Sequence, residues 1–346
     1  MEYGTGIKVR PWKKIVIGTI GAIAVVLLAG LGAWYLSSPG TTFPDTLEPI
    51  TVGSPPFELS MYIYIAQDRD LFKKNGLNVT LRDDYMDGVA PLNDMVKGDL
   101  DIAVTAEYPV VAAIFNDKRV CIFASIDKHQ NEKIIGRRDH GIKNTSDLKG
   151  KKVGVPRGTI CEFFLGRFLE LHGIGLQDVT LVDVPPSRAV DAIANGSIDA
   201  IIYYQPYVYE MEKRLGYNGI SWQAQSNQLL YGVLVSRDAW IAAHPELINK
   251  FLRSLDEAEQ YSIDHPSDAE AIVQKRLNFS DEYMATVWPN HYFSLSLDQS
   301  LLIAMSDEGH WMINNNFTSR KTLPYFQDYI YTKGIEEVKP ESVNIR

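Results

Sequence analysis

The amino-acid sequence predicts an α/β protein built from two lobes, with an apolar segment ahead of them. Patterns typical of strands and helices alternate over residues 49–135 and again over residues 136–235. Such alternation implies parallel strands joined by crossover helices. After residue 235 the patterns become mostly those of amphipathic helices. A chain of 346 residues, of which 45% are hydrophobic, is long enough to bury a core in each lobe.

The apolar segment at residues 15–36 has no charged side chain, and Thr19 is its one polar side chain. About 20 apolar residues are enough to span a bilayer as a helix. The preceding residues 1–14 carry a net positive charge and should stay in the cytoplasm. We therefore predict a single-pass anchor in the cell membrane, with the main domain extracytoplasmic; a cleaved signal peptide is the alternative. Residues 37–48 are predicted to form a linker.

The two α/β units have the same order of elements. The first is predicted to contain strands at 50–52, 77–81 and 100–104, and helices at 62–72 and 89–97. The second is predicted to contain strands at 153–155, 179–184 and 198–203, and helices at 160–171 and 188–194. The remainder is predicted to contain a returning strand at 233–235 and helices at 245–261, 267–275, 281–287, 298–314 and 324–331. Asn75-Gly76 and Gly98 are typical helix-ending residues.

Composition excludes several classes of function. The formal net charge is −9, and the main domain has no Lys/Arg-rich run, so nucleic acid is not an expected partner. The only two cysteines, Cys121 and Cys161, allow one disulfide at most, and we expect two buried free thiols.

Sequence motifs for catalysis are absent. There is no phosphate-binding G-x-x-x-x-G-K-[ST] loop, H-E-x-x-H helix, G-x-S-x-G elbow or C-x-x-C pair. None of the seven histidines pairs with another at a spacing of four residues, which would place two on one helix face. We therefore predict a protein that is not an enzyme and has no metal and no cofactor.

Polar and aromatic residues follow several of the predicted strands. In open α/β sheets, ligands bind beyond the carboxyl ends of the strands, where helix amino termini present free N–H groups. The predicted ligand-binding residues are Ser54, Pro55, Tyr85, Asp87, Thr105, Glu107, Tyr108, Arg157, Gly158, Thr159, Tyr204 and Gln205.

Several of these residues have a plain structural alternative. Ser54 and Thr159 are residue types that cap helices. Glu107 and Arg157 fit solvated surface positions, and Tyr204 fits a hydrophobic core. Their shared position at strand ends favours a binding role.

Four segments resemble the substrate-binding proteins of ABC importers, in the NMT1/THI5-like and SsuA/TauA-like branch that holds sulfonate, nitrate, taurine and thiamine-precursor binders. The segments are IAQDRDLFKKNGLNVTL (65–81), KGDLDIAVTAEYPVVAA (97–113), DLKGKKVGVPRGT (147–159) and NGSIDAIIYYQPYV (195–208). The resemblance covers roughly residues 48–235.

The resemblance implies a type II periplasmic-binding-protein fold. Two lobes, residues 49–135 with 236–346 and residues 136–235, would close on a ligand about two crossing segments. These crossings are expected near residues 132–141 and 229–237. The closed form would be recognised by an ABC permease with its ATPase. We expect a monomer.

Two ligand classes fit the resemblance. Thr105–Pro109 is similar to the T-G-E-x-P stretch of aliphatic sulfonate binders, with Ala106 in place of glycine, and this favours a sulfonate or taurine-like anion. Many tyrosines near the strand ends, Tyr85, Tyr108, Tyr203 and Tyr204, would suit the flat ring of a thiamine or pyrimidine precursor. A pyrimidine-synthesis enzyme of the same fold is a further alternative, although just one cysteine, Cys161, lies in the corresponding loop.

Overall fold

Two β-sheets form the framework of the protein. The computed structural model describes residues 1, 3–4, 44 and 46–345. Their strands are β1 Glu48–Gly53, β2 Leu77–Arg82, β3 Ile102–Ala106, β4 Val120–His129, β5 Lys133–Arg137, β6 Lys152–Val155, β7 Thr180–Asp183, β8 Ala200–Tyr203, β9 Gly219–Gln223, β10 Leu230–Arg237 and β11 His291–Ser296.

Helices connect and cover these sheets. Those of the described residues are α1 Met61–Asp68, α2 Leu71–Lys74, α3 Val89–Lys97, α4 Glu107–Phe115, α5 Ile160–Leu171, α6 Pro186–Ala194, α7 Tyr207–Leu215, α8 Asp238–Ala243, α9 Pro245–Asp264, α10 Pro266–Leu277, α11 Asp281–Val287, α12 Gln299–Asn314 and α13 Lys333–Val338. The predicted membrane anchor at residues 15–36 lies outside the described residues. Within the described part, no helix combines the length and apolar character that crossing a bilayer requires.

The first sheet has six strands in the order β11-β4-β10-β3-β1-β2. Its parallel half, β1 with β2 and β3, is the βαβ unit that the sequence predicted. Strand β10 is antiparallel to both β3 and β4, and β11 is antiparallel to β4. The sequence LYGVLVSR of β10 is almost wholly apolar because this strand lies inside the sheet, with seven of its eight residues buried.

The second sheet has five strands in the order β7-β6-β8-β5-β9. Strand β6 is parallel to β7 and β8, and β5 is antiparallel to β8 and β9. The antiparallel strand β9 was not predicted. Each sheet with its helices forms one lobe, so the predicted α/β fold with two sheets is confirmed.

The lobe boundaries differ from the predicted ones. Strand β5 belongs to the second sheet and β10 to the first, so the chain crosses between the lobes at residues 130–132 and 224–229. The predicted crossings near residues 132–141 and 229–237 begin where these segments end. Most residues in the predicted ranges belong to the paired strands β5 and β10.

The helical remainder packs mainly on the first lobe. Helix α9 contacts α1, and α12 contacts α4. Two predictions were wrong here. Residues 291–296 form β11, which the sequence analysis missed, and residues 324–331 contain only a 3₁₀ turn, Phe326–Tyr329. The chain stays extended after this turn because Tyr331 donates its backbone N–H to the carbonyl of Ile122 at 2.8 Å.

The helix-ending residues behave as predicted. Gly98 follows α3 with φ of +97° and donates its N–H to the carbonyls of Asp94 and Met95, both at 3.1 Å. This left-handed conformation favours glycine. The two cysteines are free, as expected, although Cys121 is half-buried and Cys161 fully buried.

Candidate functional site

A cavity lies between the two lobes, beyond the carboxyl ends of β1, β3 and β8. It has about 640 Å³ of empty space, including the part open to solvent. The first lobe supplies most of its walls, and the second lobe supplies the amino terminus of α5 and the loop after β8. The lining residues are Pro55, Phe57, Glu58, Leu59, Asp87, Gly88, Val89, Thr105, Ala106, Pro109, His129, Asn131, Glu132, Thr159, Ile160, Tyr204, Gln205, Leu230 and His291.

Half of the predicted binding residues line this cavity: Pro55, Asp87, Thr105, Thr159, Tyr204 and Gln205. They come from both lobes and from loops far apart in sequence. The strand-end argument therefore identified residues that the fold does bring together.

The hydroxyl of Thr159 caps α5. It donates to the carbonyl of Pro156 at 2.8 Å and accepts the N–H of Cys161 at 3.3 Å. The capping alternative thus holds for this residue, and its place in the cavity wall puts the amino terminus of α5 at the cavity. Helix amino termini stabilise negative charge.

Tyr204 joins the lobes across the cavity. Its hydroxyl donates to the carbonyl of Met86 at 3.3 Å, and its ring lies 5.6 Å from that of Phe57 between centroids, tilted by 56°. Two aromatic rings from different lobes therefore form one wall of the cavity.

The other six predicted binding residues lie outside the lining. The Ser54 hydroxyl bonds the Ser60 hydroxyl, at 2.5 Å, and the Tyr85 hydroxyl donates to Asp94 at 2.9 Å. The Ser54 side chain does not cap a helix, so the capping alternative is wrong for this residue, and Ser54 lies outside the cavity lining.

The loop before α5 is held by an acidic residue of that helix. Arg157 donates to one carboxylate oxygen of Glu162 at 2.8 Å, and the N–H of Gly158 donates to the other at 2.9 Å. Gly158 adopts φ of +76°, which favours glycine. Arg157 is thus paired within its own lobe and does not line the cavity.

Glu107 and Tyr108 are buried beneath the cavity. Glu107 accepts the N–H of Tyr231 at 3.1 Å and lies beside Glu308 of α12, and both carboxyls are fully buried. Burial raises the pKa of Glu107, and burial together with the Glu107 charge raises the pKa of Glu308 well above its ordinary value. Tyr108 packs between Phe163 and Trp311. Glu107 is thus neither exposed to solvent nor part of the lining.

The cavity is acidic. Among the residues that line it in the described part of the chain, none is Lys or Arg, whereas Glu58, Asp87 and Glu132 are carboxylates. Asp87 accepts the N–H groups of Val89 and Ala90 at 2.8 and 3.1 Å, and so caps α3. Glu58 is buried and accepts the hydroxyl of Tyr283.

Four residues at one wall of the cavity form what we call the histidine cluster: His129, Glu132 and His291, which line the cavity, and the buried Asp127 behind them. Strands β4 and β11 place His129 and His291 opposite each other in the ladder, with ring centroids 4.7 Å apart. The Asp127 carboxylate oxygen Oδ2 accepts from Nδ1 of His129 at 2.6 Å and from Nδ1 of His291 at 2.9 Å. Glu132 lies in the crossing segment, with Oε1 at 3.4 Å from Nε2 of His129.

Charges within the histidine cluster act on one another. Burial would lower the pKa of His129, but the Asp127 and Glu132 charges outweigh it and raise that pKa well above the usual value. Burial would likewise raise the pKa of Asp127, but the two histidines hold it below its ordinary range. The sequence analysis missed this cluster because Asp127 and His291 are 164 residues apart and meet only through strand pairing.

The fold and the cavity together define a two-lobed ligand-binding protein with the α/β periplasmic-binding-protein fold. Residues 59–269 match the family described as NMT1/THI5 like, and because this is more than half of the chain, the chain belongs to that family. The resemblance noted in the sequence is thereby confirmed.

Relatives and structural neighbours include sulfonate- and taurine-binding proteins. A protein of Bacillus subtilis, provisionally named for binding aliphatic sulfonates, is 26% identical over 73% of this chain and 76% of its own length. The taurine-binding periplasmic protein of Escherichia coli is 26% identical over 58% of this chain and 62% of its own length. The alkanesulfonate-binding protein SsuA of Xanthomonas axonopodis pv. citri, solved with MOPS bound, has a TM-score of 0.72 at 15% identity over 84% of this chain and 100% of that chain.

These comparisons confirm the predicted class, an ABC-type substrate-binding protein. An enzyme is also among the similar proteins. A 4-amino-5-hydroxymethyl-2-methylpyrimidine phosphate synthase of Aspergillus parasiticus is 24% identical over 60% of this chain and 64% of its own length.

Proposed function

We propose that the protein captures a small zwitterion of the aminosulfonate class, such as taurine, between its two lobes and delivers it to an ABC permease and its ATPase. The names of the taurine- and sulfonate-binding relatives support the sulfonate. The amino group is supported by the observation that carries the proposal: the lining combines helix amino termini with carboxylates and, in the part of the chain described, contains no Lys or Arg.

The negative end of the ligand would lie between two helix starts. Ala106 and Ile160 line the cavity at the amino termini of α4 and α5, which belong to different lobes. Unpaired N–H groups and the helix dipole favour an anion at each of these positions. An anion held by both would also join the lobes, which is how closure is coupled to binding in hinged proteins.

The positive end of the ligand would face Glu58 and Asp87. An anion without an amino group would enter a cavity whose fixed charges repel it, and this cost disfavours simple alkanesulfonates. The ammonium group of a zwitterion would pair with these carboxylates, and its sulfonate would still use the helix starts.

Substitution of Asp87 tests the amino-group contact. Asp87→Asn keeps a helix cap of similar strength, since Asn and Asp are comparable at this position, but removes the charge. Asp84→Asn, at an exposed position nearby, is the matched control. We expect Asp87→Asn to weaken taurine binding ten- to a hundredfold, the loss typical of a charged hydrogen bond. Equal taurine affinity in the two variants would contradict this role of Asp87.

A second candidate is a thiamine-type pyrimidine precursor. The rings of Phe57 and Tyr204, which form an aromatic wall across both lobes, favour it because they could contact a flat heterocycle. Stabilisation by 4-aminopyrimidine and not by taurine in a thermal-unfolding assay would select this ligand.

We also propose that residues 15–36 remain attached and hold a monomeric protein on the outer face of the cytoplasmic membrane. The uncharged run in the sequence and the basic flank before it support the anchor. The taurine-binding relative of Escherichia coli is named as a periplasmic protein, which supports an extracytoplasmic main domain.

A further inference from the structure

The histidine cluster has the composition of a metal site. Asp127, His129 and His291 each offer one ligand atom, and these three atoms lie within 4.8 Å of one another. Two imidazole nitrogens and a carboxylate oxygen are a common ligand set for zinc and other first-row divalent ions. The three side chains come from two paired strands, which fix their separation.

Glu132 provides an independent reason to expect a cation. Both of its carboxylate oxygens are buried and have no hydrogen-bond partner in the described structure. Oδ1 of Asp127 is likewise buried without a hydrogen-bond partner there. A buried carboxylate that lacks hydrogen bonds is costly unless a positive charge lies beside it. Glu132 lines the cavity with Nε2 of His129 at 3.4 Å, but one positive charge on His129 cannot balance both Asp127 and Glu132, so a further positive charge fits this cluster.

A divalent ion balances the charges of the cluster. Asp127 and Glu132 carry two negative charges, and an ion of charge +2 with two neutral histidines neutralises them. We propose that the cluster binds a divalent transition-metal ion of the zinc type, with Asp127, His129 and His291 as ligands and Glu132 beside them.

The geometry requires small movements. Zinc lies about 2.0–2.1 Å from its ligand atoms, so tetrahedral ligand atoms are roughly 3.3 Å apart. The Oδ2–Nδ1 distances of 2.6 and 2.9 Å are those of hydrogen bonds, so the ion would replace the two protons as these atoms move apart by roughly 0.4–0.7 Å, while longer separations within the 4.8 Å span of the three ligand atoms would shorten. Because His129 and His291 line the cavity, a remaining coordination position would face it.

Metal titration of the chelator-treated full-length chain tests the site. We expect one Zn²⁺ per chain by elemental analysis after gel filtration, and a rise of several degrees in the unfolding temperature. His291→Gln and Glu132→Gln should each lower zinc affinity at least tenfold. His244→Gln is the matched control, since His244 is exposed and its ring bonds the carbonyl of Trp240 in its own helix turn.

Cobalt gives a second readout that does not depend on a variant. Co²⁺ added to the wild-type chain should produce the visible absorption of a tetrahedral or five-coordinate nitrogen–oxygen site, and Zn²⁺ should displace it. Less than 0.1 equivalent of bound zinc together with no cobalt spectrum would overturn the proposal. Equal zinc affinity in His291→Gln and His244→Gln would overturn it as well.

Discussion

Gly166 of α5 lies directly against the indole ring of Trp311 in α12. A Cβ added at Gly166 would be 2.5 Å from Cζ2 of Trp311, closer than such atoms approach in proteins. The two residues belong to opposite lobes, and the rings of Tyr108 and Phe163 surround the contact at 6.3 and 5.7 Å from that indole ring. A residue without a side chain therefore allows the lobes to meet.

The first prediction concerns this contact. Gly166→Val should hold the lobes apart, because the indole is enclosed by packed aromatic residues that leave it little room to move. We expect a larger radius of gyration by small-angle scattering and at least tenfold weaker taurine binding. Glu170→Val, on the exposed side of the same helix, is the control. An unchanged radius and affinity in Gly166→Val would show that the contact does not govern closure.

A second prediction concerns the buried carboxyl pair, Glu107 and Glu308. Both have a folded-state pKa above the ordinary value of 4.5, so their protonated forms are favoured on folding. The stability they contribute is present below about pH 4.5 and is lost as the pH rises toward the folded-state pKa. Glu308→Gln, which cannot ionise, should therefore raise the unfolding temperature more at pH 8 than at pH 5.

The expected rise at pH 8 is about 2–4 °C, the shift typical for roughly 1 kcal/mol in a domain of this size. Thermal unfolding across pH 5–8 measures it. Glu336→Gln is the control, because Glu336 is an exposed carboxylate of α13 that is not among the groups raising the pKa of Glu308. Parallel pH profiles for Glu308→Gln and the wild type would contradict the raised pKa values.

The third prediction concerns the cap at Thr159. Thr159→Ala removes the hydroxyl that accepts the N–H of Cys161, and we expect a loss of about 1 kcal/mol of stability with several-fold weaker taurine binding. Thr159→Ser retains the cap and should behave like the wild type. Abolished binding with unchanged stability in Thr159→Ala would instead mean that the hydroxyl contacts the ligand directly.

The parts of the fold that sequence predicts best are those encoded by local patterns. Gly98 ends α3 because a left-handed residue is needed there, and the alternating apolar residues of β2 follow from burial of one face of the strand, whereas β3 is buried on both faces. Strand β11 was missed because its pairing with β4 involves residues more than a hundred positions apart, and a half-buried strand of six residues carries a weak pattern.

Within the candidate site, too, some residues were predictable from local sequence and others depend on long-range contacts. Asp87 and Thr159 were identifiable because each sits in a loop after a strand, where ligands of α/β sheets bind. Glu107 also follows a strand, but its side chain turns toward Tyr231 and Glu308. No local sequence pattern predicts which way the side chain turns. His129 and His291 meet only through tertiary pairing, so no spacing in the sequence could show it.

A fourth prediction concerns the segment at residues 15–36. We expect the chain in native cells to sediment with membranes and to require detergent for release, because the uncharged run is long enough to span a bilayer. Sequencing of the mature amino terminus accompanies the fractionation. A soluble protein that begins near Ser37 would contradict the anchor and identify a cleaved signal peptide.

Calorimetric titration of the wild-type chain with taurine, ethanesulfonate and ethylamine tests the central claim most directly. The account predicts one taurine bound per chain, with ethanesulfonate and ethylamine each at least tenfold weaker, because each lacks one of the two charged groups that the cavity is arranged to contact. Ethanesulfonate binding as tightly as taurine would contradict recognition of the amino group, and no binding of taurine at millimolar concentration would contradict the aminosulfonate ligand itself.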